Sequence, residues 1–98
     1  MNETEKLIAE RFPLKKVHFF FDDGAGGMTD MVVEGHVIEP AQSHVGTLDL
    51  FIYELTPSEY QDSNIPAGTP QIQKNLRHAY TGVRQLRVTD VIPDFKVN

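Results

Sequence analysis

Four histidines, His18, His36, His44 and His78, are the side chains here that titrate near neutral pH and ligate metals. The chain has no cysteine. Thiolate nucleophiles, disulfides and zinc–thiolate sites are therefore excluded. His36, Glu39 and His44 flank one loop and together make a two-histidine, one-carboxylate set. They would need that loop to fold them onto one point, and solvated loop histidines are the simpler reading. His18 and His36 fall on opposite faces of a strand pair, so they do not share an ion. Asp22, Asp23 and Asp30 bracket a glycine-rich turn and supply oxygens of the kind calcium takes. Their spacing is not that of an EF-hand loop, and acids at a surface turn are ordinary. No metal and no cofactor is expected.

Nucleophilic and phosphate-binding patterns are missing too. Ser43, Ser58 and Ser63 stand outside any Gly-x-Ser-x-Gly context. Ser43 precedes His44, but neighbours on extended chain point apart. Glu34 or Glu54 with an aspartate across a sheet could serve glycoside chemistry, yet a domain this small rarely has the cleft it needs. The run Gly24-Ala25-Gly26-Gly27 is not followed by the lysine of a P-loop. Thr29 replaces the third glycine of a dinucleotide fingerprint, and a strand follows where a helix is required. No catalytic residue is expected, and the chain reads as a non-enzyme.

The basic residues are more suggestive. Between Ser63 and Thr89 there is no acid, while Lys74, Arg77, Arg84 and Arg87 all fall there, with His78 and Tyr80. Lys74, Arg77 and His78 at helical spacing would share a face where an anion or an RNA backbone could dock. A solvated back of an amphipathic helix explains the same pattern. The net charge of −5 disfavours a nucleic-acid partner. No apolar run approaches the roughly 18 residues of a membrane span, and the polar start MNETEKLIAERF carries no signal-peptide pattern. With cysteine absent, the expectation is a cytoplasmic protein.

These residues must be positioned by local structure. At 98 residues the chain is expected to be one domain. Asn2 and Glu5 resemble a capping box opening a helix over 2–11, which Pro13 stops. Val17–Asp23 reads as strand one and Met28–Ile38 as strand two, with the glycines turning between them and Pro40 ending the second. Thr47–Leu55 reads as strand three. Thr56-Pro57-Ser58-Glu59 looks like a helix start. Thr69-Pro70 opens a second one, whose Ile72, Leu76 and Ala79 share a face and which Gly82 ends. Val83–Ile92 reads as strand four. The expected fold is thus α+β, in the order α-β-β-β-α-α-β, with an antiparallel sheet of about four strands.

A hairpin symmetric about Ala25-Gly26 sets Phe20 opposite Met31, His18 opposite Val33 and Phe19 opposite Val32. One face then holds His18, Phe20, Met31, Val33 and Val37. The other holds Val17, Phe19, Phe21, Val32 and Ile38 among scattered charges, and strand three adds Phe51 and Tyr53 to it. Helices can cover only one face. The aromatic face, anchored by Phe19, Phe21, Phe51 and Tyr53, is expected either to lie under the N-terminal helix or to meet a second copy or another protein. The expected role is that of a small acidic binding protein of the inhibitor, immunity or accessory type. The alternative is a small-molecule binder, with His18, Phe20, Tyr80 and Arg84 lining a pocket between sheet and helix.

Overall fold

The computed structural model of the chain describes residues 2–22, 26–43, 46–60 and 63–90. One helix, α1 (Glu3–Arg11), precedes five strands: β1 (Lys15–Asp22), β2 (Met28–Gly35), β3 (Val37–Gln42), β4 (Leu48–Pro57) and β5 (Ile72–Asp90). All pair antiparallel in one sheet, ordered β2-β1-β5-β4-β3. The expected α+β fold with helices between the third and fourth strands is therefore replaced by a mostly-β fold with one short helix. That helix starts at a full capping box: the Asn2 side chain accepts from the Glu5 N–H, and Glu5 accepts from the Asn2 N–H.

The segment read as a helix over 70–81 is the first half of β5. Its false helical spacing has a physical cause. Along β5 the register slips near Arg77, near Thr81–Gly82 and near Gln85. Each slip inserts one extra residue, so side chains sharing a face stand three apart instead of two. Leu76 pairs with Tyr53 and Ala79 with Phe51, so the two share a face with the Arg77 bulge between them. Gly82 and Gln85 both take positive φ at these slips, +67° and +54°. Glycine adopts that backbone freely, whereas glutamine does not, so Gln85 marks a strained point.

The helix start expected at Thr56-Pro57 is likewise strand. Thr56 and Pro57 pair with Gln73 and Ile72, and the Ser58 N–H donates to the Gln71 carbonyl. The Thr56 hydroxyl accepts from the Asn75 side chain at 2.9 Å instead of capping a helix. Pro40, expected to end a strand, sits inside β3. An edge strand tolerates proline because one row of its N–H groups faces away from the ladder.

The sheet closes on itself. Consecutive strands β2 and β3 occupy opposite edges, yet His36 alone joins them. Consecutive Cα atoms lie about 3.8 Å apart, so the two edges must converge at this corner. The Gly35 corner also packs against β4, and the His36 N–H donates to the Tyr53 carbonyl at 2.9 Å. Likewise β5 is shared: from Val83 onward it pairs with β1, and up to Val83 with β4. Two arms result, β2-β1-β5 and β3-β4-β5. Inward side chains from both, Val17 and Phe19 from one, Leu50 and Ile52 from the other, and Val83 between, form a single core. The thinnest dimension is 17 Å. The helix α1 packs on β4, with Ile8 buried.

Candidate functional site

The β1–β2 register decides which residues face outward. Phe19 pairs with Met31, His18 with Val32 and Phe20 with Asp30. This is one residue away from the symmetric hairpin, and a slip of one reverses every cross-strand pairing. Val17, Phe19 and Phe21 join Met31 and Val33 at the core instead of forming a second face with Val32. Phe19 is fully buried, with Tyr80 and Phe21 ring centroids at 4.9 and 6.2 Å. The four expected anchors are therefore split. Phe19 and Phe21 look into the core, while Phe51 and Tyr53 lie on the outer face of the other arm.

That outer face is largely satisfied from within the chain. The Lys74 ammonium sits 4.3 Å from the Tyr53 ring centroid and donates to Glu39 at 2.7 Å. This bond holds the Glu39 carboxyl below and the Lys74 amine above their ordinary values. The Lys74 stem covers part of the aromatic surface, and Leu76 stays exposed at its margin.

The outer face of β2, β1 and β5 is different. Cross-strand partners share a face, and three rows can be read across it. They are Glu34–Lys16–Thr89, Val32–His18–Arg87 and Asp30–Phe20–Arg84. His18 Nε2 lies 2.5 Å from an Asp30 carboxylate oxygen, and the His18 and Phe20 rings are 5.5 Å apart. Val32 is 53% exposed. Arg84 and Arg87, three apart, would point to opposite sides of a regular strand. The extra residue at Gln85 puts both guanidiniums on this face. The four basic residues of the acid-free stretch thus fall into two groups. Lys74 and Arg77 are neutralised by Glu39 and Glu54. Arg84 and Arg87 have no ion-pair partner among the described residues.

The residues expected to line a pocket do not meet in one. His18, Phe20 and Arg84 share the outer face just described, while Tyr80 faces Phe19 inside. Two shallow, open grooves are found among the described residues. One of about 220 Å³ lies between α1 and the end of β4, lined by Glu5, Ile8, His36, Glu54 and Thr56 among others. The other, about 300 Å³, lies against Glu3, Lys6, Glu10 and Pro70. Among the described residues no three His, Asp or Glu side chains group as metal ligands. Asp23 and His44 of the sets considered above lie outside the described residues.

His36 has a structural task that its sequence position did not signal. Its Nδ1 accepts the Leu55 N–H at 3.0 Å, tying the β2–β3 corner to β4. Burial is the first cause holding its pKa below the ordinary 6.5; Glu54 opposes this and Lys15 adds to it. Protonating Nδ1 removes the acceptor. A histidine whose folded pKa is depressed contributes stability above its unfolded pKa and loses it as pH falls. Thermal melts should therefore show stability dropping as pH goes below 6.5. The Glu39 shift acts only below 4.5 and the Lys74 shift only above 10.5, outside that window. In a His36→Gln variant the slope between pH 7 and 5 should flatten. An unchanged slope would remove His36 as its source.

No helix among the described residues is long and apolar enough to cross a membrane. Comparison with known proteins finds no matching family model, no matching curated protein and no matching solved structure.

Proposed function

We propose that this chain is a non-catalytic protein-binding module, of inhibitor, immunity or accessory type, that works through the outer face of β2, β1 and the C-terminal part of β5. One observation carries this reading: on that face a strained bulge aligns Arg84 and Arg87, without ion-pair partners among the described residues, beside the exposed Val32 and the Phe20 ring. Apolar anchors ringed by charge are typical of recognition surfaces, and bulges that re-aim side chains cluster at functional places. The β3–β4 outer face, where the Tyr53 ring lies under Lys74, is the less open of the two.

The test is site-specific photocrosslinking in cells that make the protein. A Val32→benzoylphenylalanine variant should give discrete protein adducts. A Glu10→benzoylphenylalanine control on the exposed side of α1 should give none. No adduct from position 32 would end this reading.

A further inference from the structure

The charges on this face are segregated, and their arrangement identifies the partner. Asp30 and Glu34 project from β2 on one side, and Arg84 and Arg87 from β5 on the other. Between them β1 carries Phe20 and His18, with Val32 alongside. A polyanion would meet the two carboxylates as well as the arginines, and the chain's net charge of −5 would repel it. A second copy of the same face has no such conflict.

We infer that two copies of this chain pair face to face, about a two-fold axis lying along β1. This rests on the reading of the face as a protein-binding surface. Rotation about that axis keeps each residue's position along the strand and exchanges left for right. The β2 acids of one copy then lie over the β5 arginines of the other, which is the self-complementarity an isologous interface requires. Row by row, Asp30 meets Arg84 twice, and the two Phe20 rings meet at the centre. Glu34 reaches toward Arg87 on the diagonal. One Asp30 oxygen is held by His18, leaving the other to accept from the partner's guanidinium. The axis also brings other like residues together: His18 on His18 beside the centre, each held by its own Asp30, and Lys16 on Lys16 and Asp22 on Asp22 at its ends. The Lys16 and Asp22 positions are at the rim, where salt screens the repulsion.

The size of the face bounds the affinity. Three strands about 4.8 Å apart and eight residues at about 3.3 Å each give a patch of a few hundred Å² per copy. Stable dimers bury about 800 Å² per partner, so this pairing belongs to the weak, reversible class. It should be sensitive to salt, since exposed charge pairs select its register.

Sedimentation equilibrium tests it with purified full-length chain in low salt, up to about 1 mM, the weak limit of specific association. Wild type should show a reversible monomer–dimer equilibrium. The double variants Arg84→Glu/Arg87→Glu and Asp30→Lys/Glu34→Lys should each associate at least tenfold more weakly, because like charges then face each other. An equimolar mixture of the two should regain association as a heterodimer. All four positions are exposed, and matching thermal melts would show the folds intact. A wild type that stays monomeric throughout overturns the inference, as does a dimer that neither charge reversal weakens. The crosslinking experiment separates the two levels. An adduct at Val32 with a different protein, from a monomeric chain, leaves the binding role standing and removes the homodimer. A dimer formed without any adduct at Val32 removes both.

Discussion

Gly35→Ala should be among the most damaging small substitutions in this chain. Gly35 is the last residue of β2, at the corner where the sheet's two edges converge, and it is buried. A Cβ built there would clash with Ile52 Cγ2 and stand 3.2 Å from the Tyr53 carbonyl oxygen. Neither neighbour can move cheaply. Ile52 is fully buried in the core, and the Tyr53 carbonyl already accepts the His36 N–H. Overpacking of this kind costs about 1–3 kcal/mol and occasionally more. At about 4–8 °C per kcal/mol for a domain of this length, melting should fall by roughly 4–24 °C. A second substitution separates clash from chain flexibility. Ile52→Leu removes the branch at Cβ that supplies Cγ2 while conserving volume, so Gly35→Ala/Ile52→Leu should melt above Gly35→Ala alone. A Gly35→Ala protein as stable as wild type would mean that this corner is not packed as described.

Phe19→Ala should cost more still, while its neighbour Phe20→Ala should cost little. Phe19 is fully buried with Val17, Leu50, Ile52 and Val83. Its ring also contacts Tyr80 and Phe21. Phe→Ala changes in cores cost about 3–5 kcal/mol. A domain of this size has about 5–15 kcal/mol in total, so the variant should be close to unfolded at physiological temperature. Phe20 lies on the opposite side of β1, partly buried, against Arg84 and His18. Its truncation should lower stability by under about 1 kcal/mol, as surface changes generally do, and its loss should be felt in association instead. Urea titration of the two variants checks the pairing register directly. A symmetric hairpin would put Phe19 beside Val32, the more exposed side, and narrow or reverse the difference.

Parts of this architecture were legible from local chemistry. The Asn2–Glu5 capping box, the strand after Pro13 and the strand rich in aromatic and branched residues from Leu48 onward each follow from neighbours in the chain. Two misreadings share one cause. The hairpin register depends on how many residues the turn takes up, and the β5 pattern depends on how many bulges the strand contains. Both are counts of inserted residues. Each insertion shifts a period-two pattern by one, and the one at Arg77 sets Leu76 and Ala79 three apart, a spacing that imitates a helix. Pro40 and Pro57 misled for a related reason, because proline reads as a strand or helix boundary until it is known which side of the sheet carries no ladder.

The binding face followed the same division. Amino-acid identity and order settle which charges exist, that Arg84 and Arg87 stand in an acid-free stretch, and that no cysteine or nucleophile motif is present. They also settle that β1 would place aromatic rings on both of its sides, since side chains alternate along any strand. Only the tertiary structure decided which ring of Phe19, Phe20 and Phe21 is core, and that the bulge at Gln85 turns Arg84 and Arg87 to the same side. The reason is energetic. A strand buries whichever face finds a partner layer, and here that layer is β4, some thirty residues away in sequence and brought over by the corner at Gly35-His36.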